Sequence, residues 1–387
     1  MIIFNNVVKE YPNGFRAVNN LDLEVPDGEI TVLIGPSGCG KTTSMRMINR
    51  LISITSGEIL IDGRDNRDLP AEELRRKIGY AIQQIGLFPH MTVYENIAIV
   101  PRLLKWEEPR IRRRVDELLE LVGLDPDIYR DSYPRQLSGG QQQRVGVARA
   151  LGADPPIMLM DEPFGAIDPI TREILQDEFL QIQERVGKTI VFVTHDIDEA
   201  IKMGDRIAIL REGQVVQFDT PDTILAHPAN KFVRDFVGTD RQLKRLGLVR
   251  INDLMERNPP SVYLSDTVEK ALAEINRLGV RSAFVIDEDS GQLKGWVDKE
   301  AARNNTSLLD AMNEASWQEI GVRKSATARD ALSAMVARGF RITPVVDKDG
   351  RLVGSITLQA LQDLAMTDTE DIRDQRNTGQ AVGEDRS

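Results

Sequence analysis

The chain runs to 387 residues, 41% hydrophobic and 28% charged, with a formal net charge of −11. That length exceeds one ordinary domain and suits two or three, each able to bury its own core, while the acidic balance, with a pI near 5.1, argues against an overall electrostatic grip on nucleic acid or on an anionic membrane. The single cysteine excludes an internal disulfide, the opening MIIFNNVVKE has no basic segment followed by an apolar one, and apolar runs such as residues 97–100 break far short of the roughly 20 residues that span a bilayer, so the expected setting is the cytosol, with any membrane role borrowed from a partner.

In chain order, EITVLIG reads as a buried strand and KTTSMRMINRL as a helix, and between them stands GPSGCGKT, residues 35–42. This is the G-x-x-x-x-G-K-[ST] spacing in the strand, loop and helix setting that the motif requires. Phosphate oxygens repel one another and need donors close by. Gly35, Gly38 and Gly40 let backbone N–H groups curl inward, with Pro36, Ser37 and Cys39 completing the loop. The helix N-terminus at Lys41, Thr42 and Thr43 adds about half a positive charge. Lys41 is expected on the β and γ phosphates of ATP, and Thr42 on Mg²⁺. Further on, IGLFPHMTVYENIA, residues 85–98, sets aromatic and proline residues around a helix start. Packing of a helical subdomain against the sheet accounts for part of that stretch.

A second glycine-rich segment, LSGGQQQR, follows at residues 137–144. Two readings stand side by side. Ser138 with Gln141 three residues on is a capping box, which needs no ligand. Yet a box does not call for two consecutive glycines, Gly139 and Gly140, each costing a helix about 1 kcal/mol; their use is to expose another ring of N–H donors to anionic oxygen. If both glycine-rich ends face the same nucleotide, two copies of the chain meet head to tail with ATP between them. IMLMDEP, residues 157–163, then reads as a buried strand ending in two carboxylates, with Asp161 placed to organise Mg²⁺ and Glu162 to polarise the attacking water. TIVFVTH is one more strand, and residues 211–238 read as a final hairpin followed by a short helix. Strands separated by helices imply the α/β class, with a parallel sheet covered on its faces.

Beyond a boundary in residues 238–249 lies an internal repeat. Residues 269–289 align with 329–349 at a constant offset, matching Ala271 with Ala331, Gly279 with Gly339, Arg281 with Arg341, Val285 with Val345 and Asp287 with Asp347. Each copy reads as an amphipathic helix ending at glycine, a strand, an acidic turn and a second strand. One such unit cannot bury its apolar face alone, so the two copies are expected to pack on each other. Residues 367–387 are polar and acidic, and disorder is expected there.

LSGGQ resembles the signature of ATP-binding cassette (ABC) proteins, and residues 1–240 are similar to that family throughout. The resemblance implies a P-loop cassette with a mixed-sheet core and a helical signature subdomain. It implies that Tyr11 stacks on adenine, that Gln83 senses Mg²⁺ and the membrane subunit, that Asp168 in GAIDP belongs to the D-loop and that His195 is the switch histidine on the γ phosphate. It also implies a composite site in which Ser138, Gly139, Gly140 and Gln141 of one copy complete the nucleotide site of the other, and a docking surface at residues 85–98 for integral membrane permease subunits. After a linker at 241–250, residues 251–306 and 307–366 resemble a tandem pair of cystathionine-β-synthase-type (CBS) domains. A separate cassette carrying such a pair resembles the ATPase subunits of importers for glycine betaine, proline betaine, choline or carnitine, which work at the cytoplasmic face of the membrane with a substrate-binding protein. The CBS copies depart from the adenine-nucleotide pattern G-h-h-[ST]-x-x-[DN]: GWVDKEA carries Asp298 and Ala301, and GSITLQA keeps Thr357 but has Ala360 in the acid's place. Regulation by ionic strength, by a cyclic dinucleotide or by scaffolding alone all fit. An ABC ATPase acting on nucleic acid or ribosomes is the competing class of function, and choline uptake for catabolism the competing use of an importer.

Overall fold

The computed structural model describes residues 1–81, 86–165, 167–277 and 279–366. The chain divides into two compact units, residues 1–224 with 228–237, and residues 225–227 with those from 238 onward. In the first unit, strands β1 (Ile2–Glu10), β2 (Arg16–Val25) and β3 (Ile30–Ile34) precede helix α1 (Lys41–Ile48), strands β4 (Ser56–Ile61) and β5 (Arg64–Asp65), α2 (Ala71–Arg76) and β6 (Ile78–Ala81). A helical stretch follows: α3 (Val93–Leu103), α4 (Glu108–Leu121), α5 (Pro126–Tyr129) and α6 (Gly139–Leu151). The chain then alternates through β7 (Ile157–Asp161), α7 (Pro169–Val186), β8 (Thr189–Val193), α8 (Ile197–Met203) and the hairpin β9 (Arg206–Arg211) to β10 (Gln214–Asp219). Two short helices, Pro221–Ala226 and Lys231–Val237, close the segment where the sequence reading expects one; Pro228 between them lacks the backbone N–H that a continuous helix needs.

Two sheets share the load. One has the order β2-β1-β4-β5 and is antiparallel, and β2 alternates between its two faces, so one face packs inward and the other meets water. The other has the order β10-β9-β3-β8-β7-β6, with β10 antiparallel to β9 and the remaining pairs parallel. Its strands β3, β7 and β8 are five-residue runs buried at every position, as central parallel strands covered on both faces must be. Apolar side chains from both sheets and from α1, among them Phe4, Leu33, Met45, Ile48, Leu159 and Val193, form one core. The register sets Leu33 and Asp161 each opposite Val193. The carboxyl ends of β3, β8 and β7 therefore lie level, and the loops that leave them open onto one edge, where open α/β sheets hold their ligands.

In the second unit the repeat is realised as read. The helices Val268–Arg277 and Ala328–Arg338 are each followed by a glycine in the left-handed region (Gly279 φ 65°, Gly339 φ 69°). Strands Ser282–Ile286 and Leu293–Asp298 pair in the first copy, and Ile342–Val346 and Leu352–Thr357 in the second. The copies meet through Phe284, Leu293, Ile320 and Ile342 with Trp296, Trp317 and Phe340 around them. Trp296 and Phe340 make an edge contact with centroids 5.2 Å apart, and Leu352 N donates to Gly291 O at 3.1 Å. The packing interleaves along the chain. Residues 241–250, expected as a linker, hold the helix Arg241–Leu248, and its Leu246 joins Ile251 in the core of the second copy with Ala331, Met335 and Ile356. Conversely Leu308 and Ala311, placed by the sequence reading in the second copy, are buried in the core of the first. The expected disordered tail, residues 367–387, lies outside the described residues.

Candidate nucleotide site

The loop between β3 and α1 curls because its glycines permit it. A Cβ at Gly35 (φ 153°) would stand 2.1 Å from Leu210 O, and one at Gly40 (φ 103°) 2.5 Å from Ala17 O; neither position accepts another residue. Pro36, Ser37 and Gly38 form an exposed crest, while Cys39 is buried beneath it. Lys41, only 8% exposed, folds onto its own loop and donates through Nζ to Gly35 O (2.7 Å) and Pro36 O (3.1 Å). Thr42 Oγ1 donates to Asp161 Oδ1 at 3.1 Å, and Thr43 lies half-buried on the next position of α1.

Asp161 ends β7 with its carboxylate 5% exposed, and Arg46 of α1 approaches the other oxygen at 3.6 Å. Burial holds the Asp161 carboxyl above its usual range despite the opposing pull of Thr42 and Arg46. Glu162 has a left-handed backbone (φ 46°), which costs a non-glycine residue of order 1 to 3 kcal/mol. The conformation is held by Glu162 N donating to Val193 O (2.9 Å) and Gly165 N to Glu162 O (3.1 Å). It directs the carboxylate to His195, whose Nδ1 stands 3.2 Å from Glu162 Oε1. The site is thus brought together by three neighbouring strand ends: the loop after β3, the carboxylates after β7 and the histidine after β8.

Other predicted residues lie elsewhere. Tyr11, at the end of β1, stacks on the exposed Phe15 with centroids 6.4 Å apart and carries Lys9 Nζ 5.1 Å over its ring. Asp168 caps α7, its side chain accepting from Thr171 N at 3.1 Å, a bond that lowers its pKa. Gln83 lies outside the described residues. The capping box at the start of α6 is present: Ser138 N donates to Gln141 Oε1 (2.9 Å), and Gln141 N to Ser138 Oγ (3.3 Å). Gln141 Nε2 donates to Tyr129 OH, and a Cβ at Gly140 would touch Thr171 and Leu175, so this end lies against the helical layer and α7. Ser138 and Gly139 are exposed. The box uses the N–H groups of Ser138 and Gln141, and at this helix start Gly139 meets solvent while Gly140 is half-buried. Arg46 is the site residue that motif reading missed; its one signal is a cation four positions after Thr42, on the same helix face. In the CBS copies, Asp298 accepts from Glu300 N (2.9 Å) and Ala301 N (2.7 Å), and Thr357 Oγ1 accepts from Ala360 N (3.2 Å). Both serve as helix caps.

A glycine-lined loop after β3 beside carboxylates that face a histidine, on a chain whose separate helix start at Ser138 and Gly139 is exposed, is the arrangement of an ATP-binding cassette ATPase. Comparisons agree. The ABC transporter family model matches residues 18–165, and the CBS domain model matches 251–304 and 315–365. The chain is 49% identical over 366 residues to the glycine betaine/carnitine/choline transport ATP-binding protein OpuCA of Bacillus subtilis, covering 94% of this chain and 96% of that one. It is 46% identical to the osmoprotectant import ATP-binding protein OsmV of Salmonella typhimurium over 94% of this chain and 96% of the relative. The dimeric bacterial ABC transporter cassette MJ0796 superposes with a TM-score of 0.51 at 40% identity, covering 57% of this chain and 98% of that one. The chain belongs to the quaternary-amine importer family of ABC transporter ATP-binding subunits, those that carry a CBS pair. Among its described residues no helix is long and apolar enough to cross a membrane.

Proposed function

We propose that the chain powers import of a quaternary-amine compatible solute of the glycine betaine, choline or carnitine type by binding and hydrolysing ATP between two copies of its cassette. The observation that carries this reading is the presence, on one chain, of two glycine-rich helix starts, Lys41 behind the loop after β3 and Ser138 with the exposed Gly139, whose described contacts do not join them. The similarity to importer subunits supplies the solute class.

In this reading residues 35–43 cradle the triphosphate and Tyr11 stacks on the adenine. Lys41 exchanges its two loop carbonyls for phosphate oxygens, a swap of one set of acceptors for more strongly charged ones. The hard oxygen donors Thr42 and Asp161, with Gln83, suit Mg²⁺, and a carboxylate kept desolvated and above its ordinary pKa gains most from a cation beside it. These residues would hold Mg²⁺, which would supply positive charge against the phosphates. Glu162 accepts a proton from the attacking water, and His195 orients that carboxylate and reaches the γ phosphate. Ser138 and Gly140 of the second copy complete the donor set, with Asp168 beside them at the same junction. Closure on ATP and reopening after hydrolysis is the mechanical output. It passes to integral membrane permease subunits at the cytoplasmic face of the membrane, where a substrate-binding protein delivers the solute, and the CBS pair regulates it.

Glu162→Gln tests the site. It is expected to bind ATP, remain dimeric in sedimentation and lose steady-state hydrolysis by roughly 10² to 10⁴-fold, the usual contribution of a positioned general base. Normal turnover overturns the assignment. For the solute, ATP-driven uptake by the reconstituted importer is measured with glycine betaine, choline and carnitine in turn; uptake of none of them sinks the substrate reading.

A further inference from the structure

Glu199 is a buried acid with no part in the chemistry proposed for the nucleotide. It stands in the first turn of α8, 8% exposed, where burial pushes its carboxyl above the ordinary range. Gln176 of α7 donates to it through Nε2 at 3.0 Å, and the Thr194 hydroxyl bonds it as well. The charges that face it are opposed: Asp196 disfavours its ionisation and Arg172 favours it. A carboxylate taken out of water for two hydrogen bonds from neutral groups is a poor source of stability, so its use lies in what it holds.

It holds the turn that carries His195. The His195 side chain is 66% exposed and its described contact is Nδ1 to Glu162 Oε1 at 3.2 Å, so the ring is placed by its backbone rather than by packing. On the incoming side β8 is fixed: Val193 O accepts from Glu162 N at 2.9 Å, and Thr194 N donates to Leu33 O at 3.3 Å. On the outgoing side Asp196 caps α8, accepting at Oδ1 from Asp198 N (2.9 Å) and Glu199 N (3.3 Å). The two sides are joined across His195, because Thr194 Oγ1 accepts from Asp196 N at 3.0 Å. Thr194 is 1% exposed. A hydroxyl that accepts from Asp196 still has its one proton to give, and that proton goes to Glu199. Helix α7 secures the arrangement from behind: besides Gln176, Arg172 Nη1 stands 3.8 Å from Asp196 Oδ2, and Lys202 Nζ of α8 lies 2.7 Å from Asp177 Oδ1.

We propose that Glu199 is a positioning residue for His195: by taking the Thr194 hydroxyl it fixes the turn 194–196 so that the exposed imidazole stays on Glu162, with Gln176 of α7 as its own anchor. This rests on the proposed function's roles for His195 and Glu162. The test follows ATP hydrolysis and ATP affinity of the full chain, together with the NMR ring signals of its three histidines, His90, His195 and His227, in histidine-labelled protein, where His195→Ala identifies the signal of interest. Glu199→Ala removes the acceptor and Thr194→Val the hydroxyl. Each is expected to lower kcat by about ten- to a hundredfold, to keep ATP affinity within about twofold and to shift the His195 signal, because a group still present is misaligned. Thr194→Ser keeps the hydroxyl and is expected to stay within about threefold of wild-type turnover. The variant combining Glu199→Ala with His195→Ala is expected to be no slower than His195→Ala, since Glu199 acts through that ring. Further slowing of the combined variant overturns the proposal, as does Glu199→Ala with wild-type turnover or a wild-type His195 signal. Failure of the underlying reading looks different: His195→Ala with normal turnover removes the role of His195 itself and takes the proposal with it. Should Glu199→Ala lack a normal melting transition, Thr194→Val decides by the same readouts: turnover or a His195 signal matching wild type overturns the proposal, and slowed turnover with a shifted signal supports it.

Discussion

Asp161 shows how one side chain is asked to do two opposed things. It is buried for precision, and burial penalises its charge. Because folding raises this acid's pKa, the folded chain favours the protonated form. The cost of ionisation therefore sets in as pH climbs through the ordinary carboxylate range and is complete above the raised value. Asp161→Asn is expected to make the nucleotide-free protein more stable at pH 7, by a few tenths to about 1 kcal/mol, with the gain shrinking toward pH 4, and to lower hydrolysis by about 10²-fold or more. Paired thermal melts at pH 7 and pH 4.5 check it; a variant less stable than wild type at pH 7 means that Thr42 and Arg46 contribute more than burial costs. At this scale the sequence made Lys41, Thr42, Asp161 and Glu162 legible, because each stands at a fixed offset from a glycine or a strand end. The left-handed backbone of Glu162 and the Arg46 contact were not legible, since both depend on what the folded neighbours offer.

Helix α6 resolves at the level of an element what its sequence left open. Ser138 caps, as a plain capping box requires, and Gly139 still faces outward while Gly140 is half-buried. The two roles separate by substitution. Ser138→Asp keeps a capping oxygen for the N–H of Gln141, so folding stability is expected to hold within about 0.5 kcal/mol of wild type. It also places an anion where the second copy's phosphate is proposed to lie, so hydrolysis is expected to fall by 10² to 10³-fold, about what loss of an aimed donor costs elsewhere. Denaturant titration and a turnover assay on the same preparation decide it, and normal turnover leaves α6 with a cap and nothing more. The grip of Gln176 on Glu199 has no such signature in the sequence: the two stand on different helices, and only the packing of α8 against α7 brings them together.

For the molecule as a whole, the second unit behaves as one packed object although its sequence repeats. Residues 246–256 complete the second copy, residues 308–312 the first, and aromatic side chains join the two. A copy cut from its neighbour loses part of its own core. Calorimetry of the full chain is accordingly expected to resolve at most two transitions, one for each unit, with no separate third for a CBS copy. Trp296→Ala, which removes a half-buried ring from the contact with Phe340, is expected to destabilise the second unit's transition on the order of 2 kcal/mol and leave the first unchanged. Independent melting of the two copies would refute the interlock.

The α/β class, the order of the motifs and the existence of a repeat follow from local spacing alone: a phosphate loop needs its glycines and lysine within eight residues, a buried parallel strand needs an unbroken apolar run, and a duplicated unit repeats its pattern. Tertiary structure alone levelled the ends of β3, β7 and β8 so that Glu162 meets His195, turned the start of α6 outward, and laid the leading segment of one repeat into the core of the other. Those outcomes depend on strand register and on which apolar face finds which partner. Both are long-range choices made by burial, and no single stretch of chain contains the two sides of such a contact.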